Sequence, residues 1–302
     1  MFADDTTCLS SGKDLKQLLN SINIEIQKMA FWYRTNKMAV NVSKSKYIIF
    51  CSKGKKITNN LQIFYNSNDP DTHPDPDHIF ELERIYSNNP NQENRTYKLL
   101  GVLFDDKLSF EPHVTYTCNK LSRANFFLNR AKNFVSNKSL RSLYFALFHS
   151  HLLYCINITH CASSSNLKKI SILQKKAIRI ISGANYRDHT EPLFYENNIL
   201  TFEKLALESK LKFMHAIYFN NAHQSFRGVW KKNSEINQHV ELRNNDDFYL
   251  PSVHNENFRK IPLYSFAKAW NELGDTKSQH NPTTFAIELR YKLIENENIN
   301  RE

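Results

Sequence analysis

The sequence predicts an α+β chain, with short strands around one helix in the first 112 residues and a mainly α-helical remainder. Three observations carry this reading. Leu15, Leu18, Leu19, Ile22, Ile26, Met29 and Ala30 recur at three- and four-residue steps, the period of one helix face. Short β-branched and aromatic runs follow at 47–51 and 97–104. From His113 to about Asn220 the apolar spacing is helical again.

Taken in order, Phe2-Ala3-Asp4-Asp5-Thr6-Thr7-Cys8-Leu9 reads as a very short strand, an acidic turn and a second strand. Ser11-Gly12-Lys13-Asp14 starts the first helix. Strands are expected at Ala39 to Val42 and Tyr47 to Cys51. Residues 53–95 are polar, Asn-rich and broken by Pro70, Pro74, Pro76 and Pro90, which predicts an inserted, poorly ordered loop outside the core around one strand at Leu61 to Tyr65. A strand returns at Tyr97 to Phe104. The helical stretch has loops near Ser136 and Ser163, a Gly183 stop and a loop from Tyr186 to Pro192. After Asn220 the pattern is mixed, and a closing helix is expected around Thr284 to Ile294. No internal repeat is visible. These shifts divide the chain into 1–112, 113–222 and 223–302, the last without a legible role.

Composition narrows the function. Six scattered glycines exclude a P-loop or dinucleotide fingerprint, which need clustered glycines for amides to approach phosphate. Forty Lys and Arg against thirty Asp and Glu give +10, which favours polyanionic partners, nucleic acid first. Five scattered cysteines without a CxxC pair predict neither a disulfide framework nor a zinc ribbon and suit a reducing intracellular setting, nuclear or cytoplasmic. The most apolar stretch, Leu143 to Ile158, is interrupted by His149, Ser150 and His151, so neither a membrane span nor a targeting segment is expected.

Asp4 and Asp5 on a tight turn beside small Ala3 are a candidate divalent-metal pair. Two metals about 3.5–4 Å apart would stabilise the attacking and leaving oxygens of a phosphoryl transfer. An acidic dipeptide alone is an ordinary surface turn; its context is what matters. Phe2-Ala3-Asp4-Asp5-Thr6, a helix ending in Phe31-Trp32-Tyr33, and the run from Asn36 to Phe50 together resemble the palm of reverse transcriptases of non-LTR (LINE-type, jockey/CR1-like) retrotransposons. Leu99-Leu100-Gly101-Val102-Leu103-Phe104-Asp105 with Leu108-Ser109-Phe110 and His113 is similar to the stretch after that palm. Leu173 to Arg179, Ile180-Ile181-Ser182-Gly183 and Trp270-Asn271-Glu272-Leu273 resemble its thumb and terminal segments.

The resemblance implies a truncated polymerase palm of short antiparallel strands plus a helix, then a helical thumb and a C-terminal region. It implies RNA-templated DNA synthesis in the intact enzyme, with Mg²⁺ as cofactor, RNA template and DNA primer as partners, and deoxynucleoside triphosphates as substrates. It makes Asp4 the direct metal ligand and Asp5 its neighbour, puts Lys44 near the departing pyrophosphate, and sets Gly101 in the strand supporting the primer end. It further implies that Met1 is internal to a longer reading frame, whose fingers and partner aspartate lie upstream, and that this fragment is inactive alone. The competing expectations are a non-catalytic nucleic-acid-binding helical protein and the inert product of a decayed element. Oligomeric state is not legible.

Between Asn166 and Gly183, Ile170, Leu173, Ala177 and Ile180 share one expected buried stripe, with Lys168, Lys175 and Arg179 roughly opposite, flanked by Lys169 and Lys176. That geometry offers a cationic face to phosphates. A lesser patch of Lys120, Arg123, Arg130 and Lys132 precedes it, with Phe126 and Phe127 expected in the core. Three other clusters read as structural: Asp105-Asp106; the loop acids Asp69, Asp71, Asp75 and Asp77 with His73 and His78; and His149, His151, Cys155, His160 and Cys161, whose spacing sits on an apolar helix.

Overall fold

The computed structural model describes residues 6–51, 57, 61–66, 79–91, 95–236, 244–253 and 256–295. The chain forms two compact units, 1–108 and 109–302.

In the first unit, helix α1 (Leu15–Thr35) starts where Asp14 accepts a hydrogen bond from the Gln17 amide at 2.9 Å, and it ends at Asn36, before Lys37 turns to positive φ. Residues 6–9 are not a strand. They lie against α1 instead, Thr6 accepting from the Tyr33 hydroxyl at 2.9 Å. Strand β1 (Lys46–Ile48) pairs in parallel with β4 (Glu83–Ile85), while β2 (Phe64–Asn66) and β3 (Ile79–Glu81) are antiparallel. The expectation of purely antiparallel strands is therefore corrected at β1. Asn23 and Gln27 of α1 bond the backbone of Gln62 and Phe64, so side-chain amides satisfy an edge that no strand covers among the described residues.

Two more expectations fail here. Ala39 to Val42 is not a strand; Asn41 caps a single 3₁₀ turn, Val42–Lys44, by accepting from the Lys44 amide at 3.2 Å. The Asn side chain competes with a strand ladder for that donor. The described part of 53–95 also contributes to the core, since Ile63, Tyr65 and Ile85 are buried. Strands of three residues are too short for their alternation to stand out against the prolines and asparagines around them. The unit closes with the hairpin of β5 (Tyr97–Leu99) and β6 (Val102–Phe104).

The second unit is helical: α2 (Glu111–Ala131), α3 (Asn137–Leu143), a π-helical turn (Tyr144–His149), α4 (Ser150–Leu153), α5 (Ile156–Thr159), α6 (Ser164–Ser182), α7 (Glu191–Glu196), α8 (Phe202–Tyr218), α9 (Asn233–Ile236), α10 (Glu256–Lys260), α11 (Pro262–Asn271) and α12 (Pro282–Glu295). Helix α6 ends at Gly183, whose φ of +66° is the left-handed C-cap that closes its last turn. α2 packs along α6 through fully buried Leu121, Leu128, Ile170 and Ala177, and the Asn125 amide donates to the Leu173 carbonyl at 3.0 Å. Buried Gln174 donates to the Leu200 carbonyl at 3.0 Å and to the Tyr144 hydroxyl at 3.4 Å, tying α6 to the π turn and to the lead-in of α8.

α8 in turn carries α11 and α12. Trp270 and Phe285 are buried in that layer, and the His215 ring stacks on Phe285 at 4.3 Å while its Nε2 bonds the Gln279 carbonyl at 2.8 Å. Glu208, nearly enclosed, takes Lys212 at 2.7 Å and Arg290 of α12 at 3.4 Å. The boundary expected at 222 therefore falls inside one compact unit, because α8 is covered by α11 and α12 from beyond it as well as by α5 and α6 from before it.

Two stability predictions follow from this packing. Leu121→Ala, which empties a fully buried position between α2 and α6, is expected to cost about 2–5 kcal/mol in a urea titration, and a change below about 1 kcal/mol would contradict the packing described. The second concerns acid. Burial, helped by Arg290 beside His149 and Lys210 beside His160, pushes both imidazoles from 6.5 down to about 4. The unfolded chain protonates them from about pH 6.5 downward while the folded chain resists until about 4, so stability present above 6.5 is lost progressively as pH falls. Thermal melts should show Tm decreasing across that window. His160→Gln, which keeps a polar group beside the Lys210 amine, should flatten the slope; an unaltered slope would exclude His160 as its source.

Candidate nucleic-acid interface

Helix α6 presents its two faces cleanly. Asn166, Ile170, Gln174, Ala177, Ile178 and Ile181 are buried, whereas Lys168, Lys169, Ile172, Lys175 and Lys176 are exposed and Arg179 is partly so. The buried stripe is rotated from the expected one. Leu173 and Ile180 are only half-buried, and Gln174, polar and so overlooked, takes a central place because Leu200 and Tyr144 satisfy its amide.

The five cations are not equivalent. The Arg179 Nε–H donates to the Asp188 carbonyl at 2.9 Å and holds the loop after Gly183. The Lys169 ammonium donates to the Asn166 side chain at 2.8 Å and lies on the α2 side of α6, near enough to offset part of the upward push that burial gives the Cys118 thiol. Lys168, Lys175 and Lys176 make no ion pair among the described residues. On a helix a spacing of seven residues puts Lys168 and Lys175 about 20° apart, in line along one face, with Lys176 about 80° to the side of Lys168.

A signal for this surface lies in the sequence and is missed by reading α6 alone. From Pro112 to Arg187 there are twelve Lys and Arg and no Asp or Glu, so this stretch carries +12 and the rest of the chain −2 against the total of +10. None of the twelve is buried. The flanking α2 patch also differs from expectation: Phe126 and Phe127 are not core residues but are 60% and 58% exposed, beside Arg123 and Arg130.

The remaining candidates lie on other elements or outside the described residues. Asp4 and Asp5 lie outside the described residues, as do the loop acids and histidines between 69 and 78. Lys44 is exposed at the end of the 3₁₀ turn before β1. Gly101 does not lie within a strand; with Leu100 it forms the two-residue turn between β5 and β6, at φ of +84° and +46°. Positive φ at both positions is what a type I′ hairpin turn requires, and glycine enters it without strain.

Asp105 is buried, and Asp106 accepts from the backbone amide of Ser87 at 3.0 Å and from its hydroxyl. In the His/Cys cluster, His160 Nδ1 faces the Lys210 ammonium at 3.0 Å, Cys161 donates to the Asn157 carbonyl, and burial pushes the Cys155 and Cys161 thiols up. Among the described residues no group of three or more His, Cys, Asp or Glu is arranged to hold a metal ion, and no helix is long and apolar enough to cross a membrane.

No protein-family model matches the chain, and no solved structure matches it. Curated relatives do. The probable RNA-directed DNA polymerase from transposon BS of Drosophila melanogaster is 26% identical over 207 residues, covering 67% of this chain and 20% of the relative. The RNA-directed DNA polymerase from mobile element jockey of Drosophila funebris is 32% identical over 101 residues, covering 32% of this chain and 11% of the relative. The probable RNA-directed DNA polymerase from transposon X-element of Drosophila melanogaster is 23% identical over 188 residues, covering 61% and 18%. The chain thus spans a fifth or less of the length of these relatives. By these matches the chain is similar to the RNA-directed DNA polymerases of the jockey, BS and X-element mobile elements.

Proposed function

We propose that this chain is the C-terminal part of such a reverse transcriptase, with the first unit a partial palm and the helical unit a thumb that grips RNA template and DNA primer through α6. The observation that carries the reading is the row Lys168, Lys175 and Lys176, exposed on one helix within 76 residues that contain no carboxylate. Cations so placed are solvated and make no ion pair among the described residues, and they attract phosphates without reading sequence. The five free thiols suit the intracellular setting this function requires.

On this reading the intact enzyme uses Mg²⁺ and deoxynucleoside triphosphates, with Asp4 and Asp5 as metal ligands and Lys44 near the leaving pyrophosphate, all carried over from the resemblance. The described residues do not themselves furnish a metal site, so no catalytic step is derived from them. Two-metal chemistry needs ligands fixed from more than one segment, and the chain covers at most a fifth of its matched relatives. We therefore expect binding without polymerisation.

Binding is tested by fluorescence anisotropy with an RNA–DNA duplex. Affinity should fall steeply with salt and vary little with sequence. Lys168→Ala combined with Lys175→Ala and Lys176→Ala should make the log–log slope shallower by about 2 to 3; an unchanged slope would remove α6 as the contact. Catalysis is tested by primer extension with Mg²⁺ or Mn²⁺. The chain as given should not extend a primer, whereas a longer polypeptide that continues upstream in the genomic reading frame should, and Asp4→Asn should abolish that activity. Extension by the short chain, lost on Asp4→Asn, would refute the proposed inactivity, and salt-dependent binding with no activity in either form would favour a non-catalytic binding protein.

A further inference from the structure

We propose that the solvent face of α2 is a stacking platform for unpaired bases, so that the helical unit holds single-stranded nucleic acid in addition to the duplex bound by α6. This deepens the reading of the unit as a nucleic-acid thumb and rests on it.

The face is built from Arg123, Phe126, Phe127 and Arg130. Spacings of three, four and seven residues confine them to an arc about 100° wide, opposite the buried stripe of Val114, Leu121 and Leu128. Both phenyl rings stand out in water, 60% and 58% exposed, with centroids 5.9 Å apart and nearly perpendicular planes. The Arg130 guanidinium lies 5.7 Å from the Phe126 centroid. Just past the helix end Phe134 is 86% exposed next to Lys132. A folded chain gains nothing from three solvated phenyl rings clustered among cations, and a patch of that kind marks a binding surface.

Charge selects the occupant. After Glu111 the helix has no carboxylate, and the sequence has none before Asp188. An apolar protein face would leave Arg123, Arg130 and Lys132 without partners, whereas a single strand supplies both complements, planar bases for the rings and guanidinium and phosphates for the charges. A continuous duplex satisfies only the second, because its bases are already stacked on one another. The buried seam between α2 and α6, with the Asn125 to Leu173 bond across it, joins the helix that carries this platform to the helix that carries the lysines, inside one compact unit.

The test compares three fluorescently labelled ligands on the full chain: oligo(dT), an abasic strand of the same length and charge, and an RNA–DNA duplex. Phe126→Ala with Phe127→Ala should weaken oligo(dT) binding by about tenfold or more while leaving its salt slope and the abasic strand's affinity unchanged. Phe126→Trp with Phe127→Trp should retain or tighten oligo(dT) binding, which separates stacking from any disturbance of the helix. Equal affinity of wild type and the double alanine variant for oligo(dT), with salt-dependent duplex binding intact, would overturn the platform alone and assign the rings to a protein contact. Equal losses on the abasic strand and oligo(dT) would overturn it too. Salt-insensitive binding of all three ligands would overturn the thumb reading beneath it.

Discussion

Between Pro112 and Arg187 no carboxylate exists to neutralise a buried lysine or arginine, and that scarcity governs the helical unit. A buried unpaired cation is prohibitively unfavourable, so every one of the twelve must reach water or a backbone carbonyl. Arg141 and Arg179 take carbonyls, of Asn197 and Asp188, and anchor loops. The others line the surface. The polar contacts that hold α6 in the unit are neutral amides: Asn125 ties α2 to it, and Gln174 ties it to Tyr144 and Leu200. The apolar stripe and the cationic row of α6 are thus two results of one constraint.

Where carboxylates return, the packing changes character. Helix α8 carries Glu203 and Glu208, and charge is now found inside: Glu208 binds Lys212 and Arg290, and nearly buried Lys210 sits against the neutral ring of His160. Removing one member of the Glu208 group would leave its partners desolvated and unpaired. The group also couples α8 to α12, which is why residues beyond 222 cannot be separated from those before it. Burial and the neighbouring cation act in the same direction on His160, holding it neutral and leaving its Nδ1 as an acceptor for the lysine.

The parts of the fold legible in the sequence are those whose apolar period runs over many turns. α1, α2, α6, α8 and α12 announce themselves by period, and Gly183 by its position after the last apolar residue. What was not legible depends on partners distant in the chain. β1 and β4 are three residues each and pair Lys46 with Glu83 and Ile48 with Ile85, partners 37 residues apart in sequence, so neither shows alternation, and the parallel register follows from tertiary contact alone. Gln174 lies buried because Leu200 and Tyr144 await its amide, and no local pattern encodes that. Phe126 and Phe127 mislead in the opposite sense, since aromatic residues on an amphipathic helix are ordinarily core. Only their spacing from Leu121 and Leu128, which puts them on the far side, tells otherwise.

The choice of cation on each helix points to different contacts. The exposed row of α6 is lysine at all four of 168, 169, 175 and 176, whereas the aromatic face of α2 is flanked by Arg123 and Arg130. An ammonium is a compact, strongly hydrated charge with no preferred plane, suited to phosphates that pass along a helix in any register. A guanidinium is flat, less hydrated and able to lie on an aromatic ring, as Arg130 does on Phe126. Neither cation is confined to one helix, since Arg179 lies on α6 and Lys120 on α2, 4.6 Å from the centre of the Tyr116 ring. The difference is local: the exposed phenyl rings of α2 have guanidiniums beside them, suited to a planar ligand, whereas the exposed lysines of α6 offer compact charges suited to phosphates.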